Sequence, residues 1–166
     1  MAEVIGYHVK EIDFHTLWWY TDIAVAVLTD EHNRERSGGV FHLRTAAGTE
    51  LYNKLFRDVL EEKEEKYHRI AAEKTARLAQ HTGHILSWES RNEALEQYQG
   101  GVRAPNGLIG SFSGFTAEED EVIVLWAFNK MGWMSDEEVL EAVSISSNTR
   151  YRDLFPLFNK VAKTAD

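Results

Sequence analysis

The chain has 166 residues and a mass of 19.0 kDa, and its 43% hydrophobic and 27% charged residues suit one folded domain with a short appendage rather than a disordered chain. The absence of cysteine excludes disulfide scaffolds, thiol nucleophiles and cysteine-ligated zinc or iron–sulfur centres. A formal charge of −9 and a pI near 5.3 repel phosphate backbones and acidic membranes, and the sequence offers no local basic cluster in compensation, so neither nucleic acid nor membrane is an expected partner. No basic stretch followed by an apolar one opens the chain and no run is long enough for a bilayer, so the expected location is the cytoplasm.

Alternation over Val4 to Val9 predicts a short strand. Asp13 to Tyr20 reads as one helical turn opened by an Asp cap, or as an aromatic connector. The β-branched run Ile23-Ala-Val-Ala-Val-Leu28 has the length of a buried strand. Charged residues at 29–36 make a turn, and Val40–Leu43 a second strand, so 23–44 reads as a hairpin. Leu51, Leu55 and Val59, then Tyr67, Ile70, Ala71 and Leu78, mark the longest helical stripe. Between its two parts Glu61–Lys66 is wholly charged, a solvated stretch of helix or a break; the lack of Gly or Pro favours the former. Glu93–Gln99 forms a further helical turn or two, stopped by Gly100-Gly101.

Residues 100–115 hold several glycines and the pair Asn106-Gly107, which suits a hairpin turn with Leu108–Phe112 as the returning strand. Thr116-Ala-Glu-Glu119 and Ser135-Asp-Glu-Glu138 are capping boxes, each opening a helix. The first runs to about Met131, with Gly132 just beyond it. The last amphipathic segment, 150–163, is interrupted at Pro156. Carboxylates at 118–121 and 136–138 sit in first turns, where they favour the exposed N–H groups, so an acidic catalytic cluster is not required.

The stretch Leu108-Ile-Gly-Ser-Phe-Ser-Gly-Phe-Thr-Ala-Glu-Glu-Asp120, together with Gly38-Gly39, Phe41-His42, Gly48-Thr49 and Gly100-Gly101-Val102, resembles the haem-degrading/GlcG/HbpS-like family, which includes the C-terminal domain of corrinoid adenosyltransferases. The resemblance spans about residues 22–131. It implies an α/β (α+β) fold, a profilin-like α/β/α layer sandwich around an antiparallel sheet, placed here at 1–131; the helical segments beyond it read as a helical C-terminal extension over 132–166. It also implies a homo-oligomer that binds haem or a related tetrapyrrole without being an enzyme, possessing a sensory role in some members. Three features depart from the family pattern: the segment before the first strand, the charged run 61–66, and the residues after the shared core.

On that basis His42, Gly100, Gly101, Arg103, Gly110, Ser113 and Phe115 are the candidate ligand-binding residues. Arg103 and the N–H groups at 116–118 would supply positive potential, but consecutive carboxylates at that helix start oppose a phosphate, and no phosphate-loop or dinucleotide motif occurs. His81 and His84, three apart, are the candidate metal pair, with His68 and Glu89 as further ligands; helix-terminal histidines favoured by the dipole are the simpler reading. The tryptophans suit packing or subunit contact, and Ser111 and Ser113 lack the nucleophile-elbow motif. The alternative function is a structural or protein-interaction unit without a ligand, or an enzyme acting on a small molecule.

Overall fold

The computed structural model describes residues 12–165 and, before them, the backbone of residues 3, 4, 7 and 8. Of the strand expected over 4–9, the described part is two short strands, β1 (Glu3–Val4) and β2 (Tyr7–His8), paired antiparallel; residues 5, 6 and 9 lie outside the described residues.

The first departure from expectation is α1 (Phe14–Glu31), one helix where a turn and a strand were expected. Asp13 caps it, its carboxylate accepting from the Thr16 N–H at 3.0 Å. Leu17, Thr21, Ala24, Val25 and Leu28 are buried at helical spacing, and the Thr21 and Thr29 hydroxyls donate to carbonyls four residues back. The run looks strand-like because the helix is covered on more than one side, by α3 (Ala117–Lys130) and α5 (Tyr151–Thr164), so its apolar residues are nearly continuous. Tertiary burial overrides the β propensity of Ile and Val.

The second departure follows from the first. The first hairpin joins β3 (Gly39–Arg44) to β4 (Glu50–Phe56), so 51–56 is a strand and not the start of the long helix. Leu51 and Leu55 are four apart, a spacing that satisfies a period of two as well as a helix. Thr45 and Thr49 close the turn, with Gly48 at φ +110°. The long helix is α2 (Glu61–Gln80); the charged run 61–66 is its opening, and Glu61, Glu62 and Glu64 face the helix N-terminus in place of a side-chain cap. Glu93–Leu95 is only a single 3-10 turn, following another at Ser87–Ser90.

The later elements lie where expected. β5 (Gly101–Arg103) and β6 (Ile109–Ser113) form the second hairpin, closed between Ala104 and Leu108, with Gly107 rather than Asn106 taking positive φ. Both capping boxes form, opening α3 and α4 (Asp136–Ser146), whereas α5 is one continuous helix through Pro156, where the sequence suggested a bend or break.

The four strands make an antiparallel sheet in the order β4-β3-β6-β5, open at both ends and flanked by helices. β3 and β6 pair His42 with Ser111 and Phe41 with Phe112, which divides the sheet into unlike faces. Phe41, Leu43, Phe112 and Phe56 join α1 and α3 in one apolar core, where the Phe128 ring fills the space a side chain at Gly110 would take. On the other face α2 is tied to the sheet by polar links: Ser111 Oγ donates to the Ala71 carbonyl at 2.6 Å, and Thr75 meets His42. Trp126, buried beneath α5, packs edge-on against Phe158. Among the described residues no helix is long and apolar enough to cross a membrane.

Leu28→Ala is expected to cost about 2–5 kcal/mol, because a fully buried contact between α1 and the core is lost. Urea unfolding measures it; a cost below about 0.5 kcal/mol would contradict this packing of α1.

Candidate functional site

The polar face of α2 leads to a cavity of about 340 Å³ at the junction of β6 and α3. Tyr67, Ile70 and Phe115 form its apolar walls, Ser113 and Gly114 line its strand side, and Lys74 and Asp120 meet at it. Arg36, Lys66, Glu93, Tyr98, Thr116 and Ala117 complete the lining. Lys74 stands in the apolar stripe of α2, between Ile70 and Leu78, so the helix carries its ammonium inward. Its Nζ donates to the Phe112 carbonyl and, at 3.3 Å, to Asp120 Oδ2. Asp120 Oδ1 accepts the Phe115 N–H at 2.8 Å. Among the described residues the third Lys74 N–H has no acceptor.

Both charged groups are almost wholly buried, Lys74 at 1% and Asp120 at 4% exposure. Burial pushes the Asp120 carboxyl up to about 6 although Lys74 opposes the shift, and burial likewise lowers Lys74. Burial also raises the Tyr67 phenol, against the pull of Arg36. The backbone is shaped around the pair: Gly100 adopts φ +125°, and a Cβ there would stand 2.6 Å from Lys74 Nζ.

The neighbouring carboxylates of α3 are consumed by other partners. Glu118 accepts from the Thr149 N–H and hydroxyl at 2.7 and 2.8 Å. Glu119 receives His32 at 2.8 Å, Arg150 at 3.3 Å and the Thr116 N–H; burial works against its charge, but hydrogen bonds from His32 and Thr116 hold it below the usual carboxylate range. Glu121 is buried on Ser146 and Asn148. Of this acidic helix start, Glu119 and Asp120 meet the cations Arg150 and Lys74, whereas Glu118 and Glu121 are held by uncharged donors.

Of the sequence candidates, Ser113 and Phe115 line this cavity and Gly100 backs Lys74. Gly101 packs on Ser87, and Gly110 on Phe128. Arg103 supplies no potential to an anion here: its guanidinium donates to the carbonyls of Leu78, His81 and His84 at the end of α2. His42 is 5% exposed, with Nε2 on Glu50 at 2.9 Å and Nδ1 on the Thr75 hydroxyl at 2.9 Å, and burial lowers its pKa despite Glu50. Both ring nitrogens are thus occupied and no histidine lines the cavity, so these residues do not fit a histidine-ligated haem.

His81 and His84 lie together, their rings stacked at 4.8 Å. The expected further ligands are engaged elsewhere, His68 on Asn53 and Glu89 on the N–H groups of Ile85 and Leu86. Among the described residues no group of three or more metal-ligating side chains is assembled. The tryptophans are dispersed: Trp18 on Phe56, Trp133 on Phe128, Trp88 under Arg91. Sequence reasoning missed Lys74, Tyr67, Tyr98, Arg36 and Lys66. A lysine inside an apolar stripe was the one available signal.

No model of a known protein family, no curated protein and no solved structure matches the chain.

Lys74→Met leaves Asp120 buried without its counter-charge and is expected to cost about 3–5 kcal/mol, while Lys74→Met with Asp120→Leu recovers most of that loss. Urea unfolding of the three proteins compares them, and a double variant no better than the single would refute the pairing. The pH dependence has a definite sign. The folded Asp120 holds its proton up to about 6 against an ordinary 3.8, so its contribution to stability is present at acid pH and lost as pH rises through that window. The stability of the wild type relative to Asp120→Asn should fall between those pH values, and a flat difference would count against the shift.

Proposed function

We infer that the chain is a small-molecule-binding module whose site is the Lys74–Asp120 cavity. The observation carrying this reading is a buried ammonium with one unused N–H, set at the end of a cavity with apolar walls. A concave site that joins apolar side chains to polar groups with a displaced pKa is a common form of ligand site, and this one is strongly polar at its rim, with Arg36, Lys66 and Glu93 also in its lining. The ligand would bring an acceptor, a carbonyl or carboxylate, to Lys74 and an apolar body to Tyr67, Ile70 and Phe115. A volume of about 340 Å³ stands near the lower end of the ~300–1,000 Å³ usual for ligand pockets, which favours a compact ligand over the tetrapyrrole that the family resemblance implies.

The strand order, with α2 on one face and α1 and α3 on the other, supports the profilin-like three-layer arrangement. Assembly into homo-oligomers belongs to the same proposal. A second reading, a protein-interaction unit, is favoured by a separate open groove lined by Trp19 and Tyr20 of α1, Lys130 of α3, and Pro156, Lys160 and Lys163 of α5. Light scattering of Trp19→Ser/Tyr20→Ser tests the groove: unchanged assembly removes the interaction reading, whatever the cavity binds.

Benzoate is the simplest probe with an apolar body and a carboxylate. In two-dimensional amide NMR it should shift residues 113–117 and Tyr67 saturably, and Ala117→Trp, which fills the cavity mouth, should weaken binding at least about ten-fold. No saturable shift around the cavity would remove this reading.

A further inference from the structure

Surface cations gather where the Lys74 cavity opens. Arg36, from the turn between α1 and β3, and Lys66, on α2, line the cavity mouth and also an adjoining cleft of about 440 Å³. Lys63 lies in that cleft, and the Tyr67 side chain is shared by both spaces. Among the described residues none of Arg36, Lys63 and Lys66 has a carboxylate within ion-pair distance; Arg36 donates instead to the Phe115 carbonyl at 3.1 Å. The cleft has one acidic lining residue, Glu35, while His32, also in its wall, is held by Glu119. With 27 acidic residues available against 18 basic ones, three neighbouring cations without partners are not what surface composition alone produces. They come from two separated segments, which is why the sequence shows no basic cluster.

We propose that this cleft takes the phosphate end of the ligand, so that the ligand class is a small phosphate monoester with a carbonyl or carboxylate at its far end. The proposal rests on the Lys74 cavity being a ligand site. The inner acceptor meets the spare Lys74 N–H, the apolar middle lies along Tyr67, and the phosphate faces Arg36, Lys63 and Lys66. A phosphate monoester near neutral pH carries almost two charges and three acceptor oxygens, which suits a guanidinium fork with two ammonium groups better than a second carboxylate would. Of the carboxylates that open α3, Glu119 and Asp120 are paired with Arg150 and Lys74, while Glu118 is held by the uncharged Thr149 hydroxyl and Glu93 lines the cavity; in the cleft itself the three cations outnumber the single acid, Glu35.

The test uses 4-phosphonobenzoate, a hydrolysis-resistant stand-in, beside benzoate, titrated calorimetrically into the wild type, Lys63→Ala/Lys66→Ala and Ala117→Trp. Both lysines are exposed, so the double variant should melt as the wild type does. The phosphonate should tighten wild-type binding at least about ten-fold over benzoate, and in the lysine variant the ratio of the two affinities should fall to about one, with benzoate remeasured there because Lys66 also lines its cavity. Benzoate binding without a phosphonate gain, or a gain that survives loss of both lysines, overturns the phosphate proposal and leaves the cavity reading standing. Phosphonate binding indifferent to Ala117→Trp also overturns it, as surface pairing only. Failure of both compounds to bind the wild type removes the cavity reading itself.

Discussion

The burial of one ammonium group governs how this molecule is joined. Lys74 projects from α2 to the Phe112 carbonyl of β6 and to Asp120 in the first turn of α3, and through Asp120 it reaches the N–H of Phe115 at the strand-to-helix junction. Three elements distant in sequence therefore share one charge pair. Withdrawing an ammonium and a carboxylate from water costs several kcal/mol each, and their attraction repays that only with good geometry and further hydrogen bonds. Lys74 gains the Phe112 carbonyl and Asp120 the Phe115 N–H, yet at 3.3 Å the pair does not fully repay burial, since the Asp120 carboxyl stays raised to about 6; Gly100 leaves the room beside Nζ.

The register of β3 on β6 gives the sheet its sidedness. Against α1 and α3 the residues are Phe41, Leu43, Phe112 and Gly110, an apolar contact set with a ring filling the glycine's space. Against α2 they are His42 and Ser111, hydrogen-bonded to Thr75 and to the Ala71 carbonyl. Apolar burial on the first face supplies the non-directional stabilisation. Polar links on the second fix the position of α2 along the sheet, and so the place where Tyr67 and Lys74 border open space.

Much of this was legible in the sequence where chemistry is local. Thr116 and Ser135 announce their helices because a hydroxyl and a carboxylate three residues on satisfy orphan N–H groups whatever the surroundings. The 101–113 hairpin was legible for the same reason, through Gly107. Ile23–Leu28 was not, because a helix covered on several sides loses its polar stripe and presents a strand's composition. Leu51 and Leu55 misled because a spacing of four fits both periodicities, and pairing with β3 decides between them. The site was half legible: Ser113 and Phe115 lie on the recognisable strand-to-helix segment, whereas Arg36 and Lys66 meet only in the fold.

The contrast with the other buried cation bears on what Lys74 is for. Arg77, three residues along α2, is equally enclosed, yet its guanidinium is spent: on Glu73, the Ser87 carbonyl, Ser90 and the Tyr98 carbonyl, at 2.6–2.9 Å. It borders no cavity among those described, and binding the 3-10 segment to α2 accounts for its burial. Lys74 differs in keeping a donor in reserve and in facing a cavity whose opposite walls are apolar. A purely structural link at that point is satisfied as well, or better, by hydrophobic residues of similar volume. An ion pair that retains an unused N–H beside accessible space is the arrangement a ligand acceptor completes, and the unpaired cations outside the same opening extend that logic from the acceptor to the charge at the ligand's other end.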